Sequence, residues 1–465
     1  MCIFGVFVYF ECANNQNRQM QITLFDPNST YSSKWYIFKN TTELGAIHDT
    51  IDWDSLAGLL PQKKTLRGAP SWLPPQGLFG LMFLKHYTGL SDEKLLERFH
   101  TDWAMQLFCG VLLQENERIR DNAFVSKVRS YLSKHLDLNQ LQQKLVDNWK
   151  KQDLADTHIL MMDATCYESY IRYPTDVKLL WECCEQLWGK MIPQICKTFK
   201  LKQPRSKYAE QRKKYLHYSK LKRKTYRKTK ARKKALLYLL IKGIDTFQGL
   251  LDRTQEGNLS PRLRSLFKTI KTVYWQQEAL FQAPSQKIKD RIVSLHKPYV
   301  RPIVRGKENK PVEFGVKTHM NQTAGVNMIE YASFNNFNEC KRLKPSVKKH
   351  KLRFKTCSHL SADRIYATNE NRKFITAEGI QTNFDKKGPV RDDKPTRQIK
   401  DLLNKGRSAY MEGSFGNEKN HYCLRKIKAL SEGTEMVWLY FGVMTANAVR
   451  VAKAKKAREK IRQAA

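Results

Sequence analysis

Between Lys197 and Lys242 the chain carries nineteen Lys and Arg against a single acid, Glu210. A run this dense in one charge cannot enter an apolar core, because a buried ammonium without a partner costs far more than a fold can spare. The segment therefore lies on the outside of whatever fold contains it. In KYAEQRKKYLHYSKLKRKTYRKTKARKK the cations are interleaved with tyrosines, and Leu236 to Ile241 closes the run with apolar residues, predicting one long helix or a helical pair. The tyrosine spacing is too irregular for a base-stacking platform and fits rings packed against another helix. Before this segment stands the short apolar run ILMM ending in Asp163, and from Val312 the pattern is again β-like. The basic segment thus interrupts a fold.

The rest of the chain divides by pattern. Gln21 to Ala69 reads as a polar, irregular lead-in with one apolar stretch at Ile51 to Leu60. Pro74 to Lys150 has helical periodicity, with Ser91 followed by Asp92 and Glu93 as a helix start. Helix, glycine turn and helix here suit either a helix-turn-helix unit or a small packing domain. VEFGVKTHM and GVNMIEYASF read as a hairpin separated by Asn321 to Ala324, and His359 to Ala362 as a short strand entering Asp363. Asn369 to Gly379 reads as a helix stopped by its glycine, Ile380 to Phe384 as a strand, and Asp385 to Thr396 as a charged loop with Gly388, Pro389 and Pro395. A helical region from Asp401 carries Glu412, and another from about Met436 ends in the basic stretch VRVAKAKKAREKIRQ.

Across 465 residues, 83 Lys and Arg outnumber 44 Asp and Glu, for a formal net charge of +39, which calls for a polyanionic partner. No window approaches the roughly 18 uncharged apolar residues of a membrane span, so nucleic acid is favoured over a membrane surface. MCIFGVFVYF at the start lacks a basic leader and reads as an over-long start, with Met20 the alternative initiator to Met1. The ten cysteines are scattered, and Cys183 with Cys184, the one close pair, has no zinc spacing. Reduced thiols in a cytoplasm are expected.

Two Asp at the ends of buried strands, Asp163 and Asp363, and Glu412 on a later helix could hold a pair of divalent ions for phosphodiester transfer. Lys419, seven positions after Glu412, falls on the same helical face and could hold a phosphate. Asp156 and Asp176 rival Asp163, though Asp176 is better explained by a helix start. Glu168, Glu330 and Glu339 are weaker candidates, and His319 reads as a packing or DNA-contact residue.

The blocks LMMDATCYESYIRYPTDVKLLWE, SLHKPYVRPIVRGKENKPVEFGVKTH, LSADRIYATNENRKFITAEGI and YMEGSFGNEKNHYCLRKI resemble, in order, those of the DDE transposases of bacterial insertion sequences. GLFGLMFLKHYTGLSDEKLLERFHTDWAMQLFCGV likewise resembles the amino-terminal domain that precedes their catalytic core. The resemblance spans about Pro74 to Ala448. It implies an α/β RNase H-like core, a mixed sheet flanked by helices, at 155–450, interrupted by the basic helical insertion at about 178–300. A mainly α-helical, DNA-binding domain at 71–150 would precede it, with an arm at 1–70 and a basic tail at 451–465.

It further implies that Asp163, Asp363 and Glu412 are catalytic ligands of two Mg2+ or Mn2+ ions, and that Lys419 is the lysine of the Glu-x6-Lys signature. The enzyme would bind the terminal inverted repeats of its element as double-stranded DNA and join them to target DNA. It would work as a homodimer in the nucleoid, with Lys419, Arg407, Arg223, Lys224 and Arg227 on DNA. The signature departs in one respect: its Arg stands four residues before the Glu, where this chain has Ser408, and Arg407 is one position further back. The signature's Tyr also has no counterpart, since Lys405 stands there and the nearest Tyr is Tyr410. Alternatives are a catalytically silent DNA-binding derivative, an RNase H-like nuclease that cuts without joining, and a basic structural or ribosome-associated protein.

Overall fold

The computed structural model describes residues 30–61, 71–114, 116–152, 157–254, 260–304, 312–386, 388 and 393–464. Met1, Met20, Asp156 and Pro389 lie outside them. In chain order come α1 (Thr30–Thr41), α2 (Glu43–His48), α3 (Trp53–Ala57), α4 (Pro75–Thr88), α5 (Asp92–Phe99), α6 (Trp103–Phe108), α7 (Phe124–His135), α8 (Leu138–Lys151) and β1 (Ile159–Ser169). Next are α9 (Asp176–Gln186), α10 (Ile192–Thr198), α11 (Tyr208–Lys220), α12 (Tyr226–Thr254), α13 (Pro261–Gln282), β2 (Pro302–Val304), β3 (Val312–Thr323) and β4 (Val326–Ser333). The chain continues through α14 (Leu343–Phe354), β5 (His359–Ser361), α15 (Asn369–Ala377), β6 (Gln381–Thr382), α16 (Lys394–Gly406), α17 (Gly413–His421), β7 (Lys426–Ile427) and α18 (Glu432–Ala464).

These elements form two compact units, one comprising the described residues up to Glu168 with Lys317–Ser333 and everything from Phe337, the other Ser169–Val316 with Phe334–Asn336. The first holds a mixed sheet flanked by helices. In it β4 and β3 form an antiparallel hairpin, β3 lies next to β1, and β1, β5 and β6 run parallel, with β7 also bonded to β1. The hairpin turn is tighter than its sequence suggested: β3 runs through Thr323, and only Ala324 and Gly325 turn, both with positive φ, as a two-residue hairpin loop requires.

At the centre of this unit lies α18, buried on all sides from Thr434 to Asn447 and packed against α4, α7, α8 and β4. A helix apolar all round belongs inside a protein rather than on its surface. Gly442 is required there, because a Cβ would come within 2.7 Å of the Leu424 side chain. Beyond Ala452 the same helix emerges as the basic stretch read from the sequence as a tail. Over its described residues, 30–61, the lead-in read as irregular is helical instead: Thr42 caps α2, Asp52 caps α3, and an aromatic cluster of Trp35, Phe38, His48, Trp53 and Phe108 binds the short helices together. Such a cluster assembles residues far apart in sequence and leaves no periodic trace.

The outer edge of β4 is covered by side-chain amides. Gln142 of α8 accepts from the Ile329 N–H at 2.7 Å and donates to its carbonyl at 3.0 Å. Asn447 of α18 does the same for Asn327, at 3.0 and 2.7 Å. Four backbone groups that would otherwise lie unpaired in the interior are thereby satisfied.

In the second unit, Leu236, Leu240, Phe247 and Leu251 of α12 join Leu180, Cys184 and Leu187 of the segment from α9 in one core. Trp181 is sandwiched between Tyr208 and Tyr215, stacked at 5.5 and 4.7 Å, so two of the tyrosines interleaved with the basic run are packing residues. The basic run is a helical pair, α11 and α12, and α12 continues past Ile241 to Thr254. The eight cysteines among the described residues are all free thiols.

Replacing Gln142 by Leu keeps the volume but strands both backbone groups of Ile329. Urea denaturation should show a loss of about 2–4 kcal/mol, whereas an unchanged midpoint would mean that water replaces the amide.

Candidate active site

The candidate residues Asp163, Asp363, Glu412, Arg407 and Lys419 all belong to the first unit. The parallel pairing of β1 with β5 aligns Ile159 with His359, Leu160 with Leu360 and Met161 with Ser361. Carried two residues further, this register brings the chain level at Asp163 and Asp363. Asp163 is not at a strand end, as its short apolar run suggested, because β1 continues to Ser169. It lies just past the point where β5 stops pairing. Asp363 follows the end of β5 and caps a single 3-10 turn, accepting from the Arg364 N–H at 2.6 Å, with its side chain exposed.

The Asp163 carboxylate is largely buried. Its Oδ1 accepts from the Ala164 N–H at 2.7 Å and its Oδ2 from Arg407 Nη1 at 3.1 Å. Burial raises its pKa to about 6, against the pull of the Ala164 N–H and Arg407 and with the push of Glu339 and Asp363. Tyr366, buried beside Glu339 and the same carboxylates, has its hydroxyl without a hydrogen-bond partner among the described residues.

Glu412 ends a π-helical turn, Arg407–Glu412, between α16 and α17. This turn accounts for the displaced arginine. In an ideal α-helix, residues five apart point about 140° away from each other, whereas residues four apart point within about 40°. The i to i+5 repeat of a π turn restores the alignment. Arg407 Nη1 accordingly lies 3.1 Å from Glu412 Oε1 as well as 3.1 Å from Asp163. Glu412 itself is half exposed.

On α17, Lys419 Nζ donates to Thr165 of β1 at 2.8 Å and stands 5.4 Å from the Tyr167 ring centre. Its neighbour Glu418 is fully enclosed, accepting from the Tyr167 hydroxyl and from Asn327 Nδ2, which also donates to Ser414. Burial raises the Glu418 carboxyl to about 7 despite those hydrogen bonds and the nearby Lys419 and Arg450. Neither Glu418 nor Tyr167 stood out in the sequence. An acid beside a lysine on a helix reads as solvated, and the partners that bury it are 91 and 251 positions away.

Of the rival acids, Asp176 and Glu330 are paired away from Asp163, whereas Glu339 lies near enough to act on it. Asp176 begins α9 in the second unit and is held by Lys233 and Arg291, each at 2.8 Å. Burial would raise the Glu330 carboxyl, but contacts with His319, Arg342 and Lys349 more than offset that and hold it at about 2. His319, fully buried 5.6 Å from the Tyr366 ring, is a packing residue. Glu339 pairs with Lys317 at 2.8 Å, and Glu168 is half-buried on β1. Arg223, Lys224 and Arg227 are exposed in the second unit, before and at the start of α12. Among the described residues no three acidic, His or Cys side chains converge closely enough to hold a metal ion by themselves. What joins Asp163 to Glu412 is the Arg407 guanidinium.

A family model described as a transposase domain (DUF772) matches residues 36–131, which run from α1 into α7. No curated protein and no solved structure matches the chain. No described helix is long and apolar enough to cross a membrane. The amino-terminal match supports a transposase function and, with it, a DNA-processing enzyme.

The Glu418 carboxyl holds its proton more tightly in the folded state than at its usual value of 4.5, and Asp163 shifts in the same direction. The contribution of these two groups to stability is thus greatest below about pH 4 and falls as the pH rises toward 7, where the unfolded chain has already released both protons. Unfolding free energies from urea denaturation between pH 4.5 and 8 should fall for the unaltered protein by about a few kcal/mol in total. Glu418→Gln should flatten most of that slope, and an undiminished slope would remove Glu418 as its source.

Proposed function

We propose that the chain is a DDE-type DNA transposase that binds element ends, cleaves them and transfers the strands. Asp163, Asp363 and Glu412 would be its metal ligands. The observation that carries this reading is the single guanidinium nitrogen shared by Asp163 and Glu412, beside an Asp363 level with Asp163, in a chain matched by a transposase domain. A cation already occupies the place between two of the three carboxylates, and the buried Tyr366 hydroxyl beside them lacks a partner. Both observations fit a site for hard, oxygen-liganded Mg2+ or Mn2+.

Two such ions, when bound, would activate the attacking water or 3′ hydroxyl and neutralise the leaving oxygen. The chain's own residues do the rest. Asp163 would present its carboxylate from β1, Asp363 from the turn just past β5, and Glu412 from the π turn. Lys419, steadied by Thr165 and by the enclosed Glu418, presents its ammonium to a DNA phosphate. Arg223, Lys224 and Arg227, with the excess of cations around them, would track the duplex backbone, and α4 and α5 with the Gly89 turn between them would serve element-end recognition. Acting on two ends at once, the enzyme would work as a homodimer on nucleoid DNA.

A catalytically silent DNA-binding protein is the second reading, favoured by the same guanidinium, which already neutralises two of the carboxylates. A labelled element-end duplex incubated with Mg2+ or Mn2+ separates the readings. Asp163→Asn, Asp363→Asn and Glu412→Gln should each lower cleavage about a thousandfold or more with DNA binding retained. Joined products exclude a plain nuclease, and binding without cleavage by the unaltered protein favours the silent reading. Replacing Arg223, Lys224 and Arg227 together by Ala should reduce the slope of log K against log salt by about one per residue. An unaltered slope would move the DNA contact elsewhere.

A further inference from the structure

We infer that Arg407 is a built-in placeholder for a divalent ion, holding the metal-free site together and leaving it when metal enters. The inference rests on the metal-dependent reading above and concerns this chain's own arginine. A guanidinium recognising a carboxylate for its own sake usually does so through two parallel N–H bonds. Arg407 instead uses one nitrogen, Nη1, for oxygens of two different carboxylates, each at 3.1 Å. The group is being used as a point charge, the way an ion is used.

Its Nε, meanwhile, is buried and without a hydrogen-bond partner among the described residues, so the arginine is incompletely satisfied where it stands. Such a group leaves at lower cost than a fully bonded one. The side chain is nonetheless only 19% exposed, held in by a π turn that aligns residues 407 and 412 across an otherwise unfavourable five-residue spacing. Mg2+ takes its oxygens at about 2.0–2.1 Å and tolerates no interposed nitrogen between them. Metal and Arg407 therefore compete for Asp163 and Glu412. Once displaced, the guanidinium is free to turn outward, where a DNA phosphate offers the bidentate partner it lacks.

Mn2+ binding to the full chain without DNA, followed by the loss of the free-ion electron paramagnetic resonance signal, tests this without any activity assay. Arg407→Gln should bind Mn2+ about tenfold more tightly than the unaltered chain, the worth of roughly one charge-assisted bond no longer broken on entry. Arg407→Lys, which keeps the cation, should stay close to the unaltered affinity. Asp163→Asn should abolish binding in either background. On the unaltered chain, phenylglyoxal modification of Arg407, read by peptide mass spectrometry, should accelerate as Mn2+ is added, which keeps the test valid if Arg407→Gln misfolds. If Mn2+ binds in an Asp163-dependent way but Arg407→Gln binds no more tightly, or modification does not accelerate, the placeholder fails and the transposase reading stands. If no variant binds Mn2+ in a way that Asp163→Asn abolishes, both fail together.

Discussion

Asp163 on β1 carries its charge largely out of water, level with an exposed Asp363 just past the end of the parallel strand β5. Burial of the Asp163 charge, more than repulsion from Glu339 and Asp363, is the cost that its neighbours must offset. The Ala164 N–H and the Arg407 guanidinium hold the Asp163 charge, and the π turn exists where it must for that guanidinium to reach Glu412 too. A second layer, Glu418 with Tyr167 and Asn327, fixes α17 against β1 and β4 and so fixes Lys419. Removing the hairpin or α18 would leave that layer without its backing, since Asn327 is itself pinned by Asn447.

Much of this was legible where the signal is local. The strand at His359, the helix stopped at Gly379 and the helical character of the basic run, left open there between one helix and two, follow from turn chemistry and charge alone, and the structure has them. The candidate acids were found through ordered blocks of sequence, since composition cannot distinguish three carboxylates among 44. The length of β1 was not legible. Thr165, Cys166 and Tyr167 continue the strand as buried residues in succession, which breaks the alternation that would have announced it. The π turn was equally hidden: one residue more than an α-helical spacing reads as a mismatch until the backbone is known to widen there.

The second unit shows why the basic segment could be recognised as external yet misjudged in extent. Its cations dominate the pattern up to Lys242, but what keeps α12 in place is the apolar stripe through Phe247 and Leu251, further along the same helix. Two tyrosines that could have been taken for nucleic-acid contacts are spent on Trp181, while the cations around Arg223 remain in solvent. Division of labour within one segment, rings inward and charges outward, lets so basic a stretch stay folded.

The amides of Gln142 and Asn447 along β4 also bear on how copies of this chain could meet. An exposed strand edge invites strand addition by another molecule, and proteins commonly blunt it with charge or proline. Here the hydrogen-bonding groups of Asn327 and Ile329 are already taken by two buried side chains, Gln142 of α8 and Asn447 of α18. The sheet is closed on that flank to growth from one molecule into the next, so assembly on that side has only helical surfaces to use.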